Sequence, residues 1–176
     1  MDFSIVPECF VDTNLIETLV PPNGRGYNHQ KGCGTVGRTM KQRLINEFAL
    51  GIIDKDKKDL DYLNDFEEVV NQVTLLLFKH RSKPHYMIQI QPAVERFILN
   101  AAKSVNVSIE EFGLPPDFEA FKKVSKTEQS KKDPRFKNLF KAVQMAGASD
   151  FVRLSGWVAH LKDNPYSADL EFLRSI

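Results

Sequence analysis

Cysteine is almost missing from this chain: Cys9 and Cys33 are its only two. Two thiols cannot build a disulfide framework, and neither belongs to a CxxC pair, so small disulfide scaffolds and zinc ribbons are set aside. Both are expected as buried thiols. No apolar run approaches the roughly 18 residues that cross a bilayer. The opening MDFSIVPECF has no basic region followed by an apolar secretory stretch. The expectation is a cytoplasmic protein with no membrane partner. There is no phosphate-binding GxxxxGK[ST] loop, hence no ATPase site of the P-loop kind. Excess charge is missing too, for a net charge of +1 excludes a uniformly basic nucleic-acid binder. Hydrophobic residues at 42% are too many for a disordered chain. At 176 residues the chain can bury one main core and a small second lobe.

The charges that are present are unevenly placed. From Asp54 to Glu68 the acids Asp54, Asp56, Asp59, Asp61, Asp65, Glu67 and Glu68 outnumber Lys55, Lys57 and Lys58. From Lys122 to Lys141 the balance reverses: eight basic residues stand against Glu128 and Asp133. Within that stretch Lys131, Lys132, Arg135 and Lys137 are the candidate contacts to a nucleic-acid backbone. A solvated, lysine-rich helix face is the plain alternative.

Hydrophobic spacing gives a coarse map. Glu8-Cys-Phe-Val-Asp12 reads as a short buried strand ending in an acid. A helix follows, carrying Leu15, Ile16, Leu19 and Val20, until Pro21-Pro22 stop it. Tyr27 to Gln30 reads as a short second strand between glycine turns. Thr35 to Phe48 has Val36, Met40, Leu44, Ile45 and Phe48 at helical spacing. Phe48 to Asp54 is an unbroken apolar run entering Asp54-Lys-Asp56, the pattern of a central parallel strand. Leu60 to Val70 reads as a helix, and Thr74 to His80 and Tyr86 to Gln91 as strands. Pro92 is placed to open a helix with Glu95 near its start. Beyond Val105 the chain is helical, with breaks at Gly113-Leu-Pro-Pro116 and Asp133-Pro134 and helices near 135–146 and 149–162. The expected architecture is α/β: a mainly parallel sheet flanked by helices over residues 1–105, with a helical C-terminal extension over 106–176 packed on it.

In such sheets ligands gather beyond the carboxyl ends of the strands. On this map Asp12 and the Asp54/Asp56 pair share that end. Close carboxylates repel one another and favour protonation unless a cation compensates them; hard oxygen ligands suit Mg2+ or Mn2+. Asp12, Asp54 and Asp56 are therefore the candidate metal ligands, with Glu95 a fourth acid for catalysis. The plain reading is a solvated DKDKKDLD loop and a helix-capping Asp12. His29, His80, His85 and His160 show no mutual metal spacing and are expected to be structural or exposed, with His29, beside the glycine turn, the least settled. Trp157 fits helical packing better than base stacking.

Taken in order, CFVDTNLIETL, NHQKGCGTVGRTM, FALGIIDKDK and IQIQPAVERFIL resemble the TOPRIM domain, particularly the nuclease branch of the overcoming-lysogenization-defect (OLD) family. The resemblance spans roughly residues 8–100. It implies a TOPRIM-like fold in which an acid ends the first strand, a glycine turn precedes a helix, a strand ends in Asp-x-Asp and a later segment carries another acid. Asp12, Asp54, Asp56 and Glu95 would take those roles in turn, although the family has glutamate, often followed by glycine, where Asp12-Thr13 is aligned. The implied activity is metal-assisted cleavage of nucleic-acid phosphodiesters, and an OLD-like system implies a protein partner, an ATPase.

Other readings stay open. Val11-Asp-Thr-Asn14 resembles the opening of PIN-domain ribonucleases. Gly32-Cys-Gly-Thr-Val-Gly37 satisfies the dinucleotide GxGxxG pattern, without the hydrophobic strand that should precede it. A third reading is a non-catalytic TOPRIM-like module that binds nucleic acid or a protein.

Overall fold

The computed structural model describes residues 2–55 and 60–176; Asp56 and its neighbours through Asp59 lie outside them. The chain is α/β, with a five-stranded mixed sheet. The strands are β1 (Ile5–Pro7), β2 (Ala49–Asp54), β3 (Phe66–Asn71), β4 (Leu75–His80) and β5 (His85–Ile90), and they lie in the order β1-β2-β5-β4-β3. β1 and β5 flank β2 in parallel, whereas β4 and β3 add on antiparallel through hairpins. The sheet is thus parallel only around β2, not mainly parallel throughout. Hairpins can join neighbouring strands only antiparallel.

Seven α-helices are present among the described residues: α1 (Phe10–Leu19), α2 (Cys33–Gln42), α3 (Val94–Ser104), α4 (Phe118–Ser125), α5 (Pro134–Met145), α6 (Ser149–Asp163) and α7 (Leu170–Ser175). None is long and apolar enough to cross a membrane.

β2 is apolar without interruption because both of its faces are covered. Leu50 and Ile52 join a large buried cluster with Leu15, Phe97, Phe140, Phe151 and Trp157. Ala49 and Ile53 join a smaller one with Val36, Met40, Tyr62 and Met87 on the other side. The large cluster runs from Ile5 to Leu173, so the C-terminal helices close over the same core as the sheet. Asn14 ties them to α1: its side-chain amide donates to the carbonyls of Ser130 at 2.8 Å and Asp133 at 3.2 Å. Trp157 is buried and donates to Leu173 O at 2.8 Å, the packing role expected of it.

Three local expectations are corrected. The first strand is Ile5–Pro7, and Cys9 to Asp12 belong to the start of α1 instead. A reciprocal capping box decides this: Cys9 Sγ accepts from Asp12 N–H at 3.4 Å while Asp12 Oδ2 accepts from Cys9 N–H at 3.1 Å. It is the Ser-x-x-Glu pattern written with a thiol and a shorter acid. Both cysteines are half-buried, not fully enclosed.

Second, Tyr27 to Gln30 is not a strand, although Asn28 and Gln30 donate to Ile5 O and Pro7 O at 3.0 and 2.9 Å. The segment covers the outer edge of β1, which would otherwise expose unpaired backbone. Third, Leu60 to Val70 is no helix. A 3₁₀ turn at Asp61–Asp65 leads into β3, which pairs with β4; the cross-strand pairing outweighs a local helical spacing. The expected helix over 35–48 ends at Gln42. The strands read at 48–54, 74–80 and 86–91 and the helices near 135–146 and 149–162 match within a residue or two.

Candidate functional site

A cavity of about 390 Å³ opens beyond the carboxyl ends of β1 and β2. Its acidic lining comes from three elements: Glu8 directly after β1, Asp54 at the end of β2 and Glu95 in the first turn of α3. Lys31, Lys122 and Lys126 line it as well, with Phe10 and His29.

The acid that ends the first strand is therefore Glu8. Asp12, expected there, sits one helical turn further on, in the first turn of α1 and almost wholly buried. The cue lay in Pro7. Proline in a strand is tolerated at a sheet edge, so Ile5-Val6-Pro7 qualifies as an edge strand and the capping pattern of Cys9 and Asp12 then starts the helix.

Backbone hydrogen bonds hold the acids at this corner. Glu8 Oε2 accepts from Asp54 N–H at 3.0 Å, which stitches the ends of β1 and β2 together. Asp54 Oδ1 accepts from Val94 N–H at 2.8 Å. Asp54 thereby caps α3, whose own N-cap, Ala93, offers no side-chain acceptor. Such a position favours negative charge. Glu95 is buried, and its Oε1 accepts from Ser125 Oγ at 2.8 Å, which fixes it against α4.

The acids oppose one another's ionisation. Burial, with Asp12, Glu8 and Glu95 nearby, pushes Asp54 up to about 9 from the ordinary carboxylate range. Burial also raises Asp12 to about 7; its hydrogen bonds to Cys9 pull the other way, and Glu8 and Glu95 push it further up. Asp12 Oδ1 is buried and has no hydrogen-bond partner. The Cys9 thiol is pushed up by burial and by Asp12, so it stays protonated. A protein that gathers four carboxyl groups so closely, one with an unpartnered oxygen, has the donor set of a hard divalent cation.

Among the described residues, no three His, Cys, Asp or Glu side chains already surround one point at ligand distance. The donors still fit Mg2+ or Mn2+, since Mg2+ keeps several of its own waters and reaches some carboxylates through them. Glu8 and Asp54 are the residues that would hold the ion directly. Asp56, the remaining expected ligand, lies outside the described residues.

No protein-family model matches the chain, and no curated protein or solved structure matches it either. The site's own geometry thus carries the functional argument.

The other expected residues fall into two groups. Lys131, Lys132 and Lys137, with Lys141, line a separate basin of about 440 Å³ beside α1. Arg135 is engaged elsewhere: its guanidinium pairs with Asp133 at 2.7 Å and donates to Gly113 O at 3.1 Å. Val11 to Asn14, the run that resembled a PIN opening, lies inside α1, and Asn14 is committed to Ser130 and Asp133. The glycines of GxGxxG open α2 but do not follow a strand, so the strand, turn and helix of a dinucleotide site are not formed.

His80 and His85 come together with Tyr62 under the sheet. His85 is buried and bonded at both nitrogens, to Tyr62 Oη at 2.7 Å and Leu44 O at 2.9 Å. That is a structural role. His29 differs: it lines the acidic cavity, stacked on Phe10.

Proposed function

We propose that this chain is a TOPRIM-like, divalent-metal-dependent nuclease domain acting on nucleic-acid phosphodiesters. The observation that carries the reading is that one cavity is lined both by the acids Glu8, Asp54 and Glu95 and by the bases Lys31, Lys122 and Lys126. A metal ion and an anionic phosphodiester need those two sets of charges side by side. Glu8 and Asp54 would hold the ion, with the nearby Asp12 and Glu95 adding negative charge to the site. When bound, Mg2+ or Mn2+ supplies an acidified water and offsets charge on the phosphate. Lys31, Lys122 and Lys126 would hold the non-reacting phosphate oxygens, and the basin of Lys131, Lys132 and Lys137 would extend the backbone contact. A resemblance to OLD-family TOPRIM nucleases points the same way, and with it a separate ATPase as partner.

Calorimetric titration with Mg2+ and Mn2+, together with plasmid and RNA cleavage assays, tests the reading. The expected result is metal binding by the native chain, loss of that binding in Asp54→Asn, and metal-dependent cleavage lost in the same variant. Metal binding with no cleavage of DNA or RNA replaces the nuclease with a binding module. Absence of metal binding at Asp54 removes the proposal altogether.

A further inference from the structure

We propose that His29 is the proton acceptor for the attacking water in this cavity, acting through an unprotonated Nε2. The inference rests on the nuclease reading and adds to it a residue outside the acidic set.

The tautomer follows from the hydrogen bonds. Thr13 Oγ1 stands 2.7 Å from Cys9 O and 3.0 Å from His29 Nδ1. A carbonyl oxygen only accepts, so the single hydroxyl proton of Thr13 lies toward Cys9. Thr13 Oγ1 can then meet His29 only as an acceptor, which puts a proton on Nδ1. In the neutral ring the lone pair is left on Nε2. Among the described residues, Nε2 has no hydrogen-bond partner, whereas both nitrogens of His85 do. The ring stacks on Phe10 at 4.6 Å, so its plane is fixed as well as its tautomer. Both residues line the cavity that holds Glu8 and Asp54.

The surroundings keep the ring neutral. Burial comes first, then the positive charges of Lys131 and Lys31, with Cys9 O and Glu128 acting in the opposite sense. A neutral imidazole with one nitrogen anchored and the other open is the arrangement a general base requires. In the step, the oxygen of water forms its bond to phosphorus while a water proton passes to His29 Nε2. The bond from phosphorus to the leaving oxygen breaks, and that oxygen keeps the electron pair and takes a proton from solvent. His29 then returns its proton to solvent. Thr13 acts through His29 and is a positioning residue.

Two measurements test this. Nitrogen-15 NMR of the metal-free protein reads the tautomer, with Nδ1 protonated and Nε2 bare as the expected result; a proton on Nε2 overturns the proposal whatever the activity. Single-turnover cleavage of plasmid or RNA with saturating Mn2+ is expected to fall about 10²-fold or more in His29→Ala, with metal affinity unchanged by calorimetry. Added imidazole should restore part of the rate, which a purely structural histidine would not allow. Thr13→Val should give a smaller loss. Native-like cleavage by His29→Ala, in a protein whose Asp54→Asn variant is inactive, overturns the role of His29 and leaves the nuclease reading standing. No cleavage by the native chain overturns both.

Discussion

At the scale of single residues, the acidic corner stores electrostatic repulsion that a cation would relieve. Asp54→Asn removes a carboxyl that must either take up a proton on folding or face its acidic neighbours charged, and it keeps an oxygen for Val94 N–H, 2.8 Å away. The variant is therefore expected to melt higher than the native protein at pH 8 in chelator, and to lack the rise in Tm expected of the native chain with Mg2+ or Mn2+. Thermal scans with and without the ions check both signs; an Asp54→Asn variant less stable in chelator would contradict the repulsion.

Cys9 makes a second case. Its thiol accepts Asp12 N–H as the N-cap of α1. Cys9→Ser should hold stability, whereas Cys9→Ala should cost about 1 kcal/mol, measurable by urea denaturation. Residue by residue, Asp54 and Glu95 are legible in the sequence because an unbroken apolar run and a proline mark the ends of β2 and β5. Glu8 is not, since Phe10 and Val11 continue the apolar character past it and cysteine is an unusual helix cap.

Among the elements, β2 shows how packing limits a residue choice. A Cβ on Gly51 would lie 2.5 Å from Met87 Sδ and 2.8 Å from Met40 Sδ. α2 can rest on the sheet there only because no side chain intervenes. Gly51→Ala is expected to destabilise the fold by about 1–3 kcal/mol through overpacking, again read from urea curves. The basic stretch divides at this scale too. Lys131, Lys132 and Lys137 line one basin, while Arg135 is held by Asp133. If nucleic acid lies across that basin, alanine at any of the three lysines should weaken binding and lower the salt dependence by about one counterion each. Arg135→Ala should change neither, and fluorescence anisotropy at several salt concentrations separates them. The helices after Val105 are legible from spacing and proline breaks. The stretch 60–70 is not, because its antiparallel pairing with β4 decides its conformation.

Over the whole molecule, stability should depend on pH in a characteristic direction. The carboxyls of Asp12 and Asp54 titrate near 7 and 9 when folded, against an ordinary value of 3.8. The folded state thus binds protons more tightly than the unfolded one. Their contribution is fully present below about pH 4 and is lost as pH rises through 7 and then 9. In chelator the Tm is expected to fall across that window, and saturating Mg2+ or Mn2+ should flatten the fall. A Tm that climbs from pH 6 to 9 in chelator would contradict the assignment. The two acids respond as one system, so the steps of that fall belong to the pair and not to either residue.

By itself the sequence determined an α/β chain, its central strand, most of its helices, and an acidic site at the end of β2, because hydrophobic periodicity and proline breaks are local signals. Only the tertiary structure decided that Glu8 ends the first strand, that the sheet turns antiparallel beyond β5, and that His29 lines the same cavity as the carboxylates. Each of those depends on contacts between segments, distant in the chain for Glu8 and His29 and across hairpins for β3 to β5, and such contacts are set by how the faces pack and which backbone groups need partners.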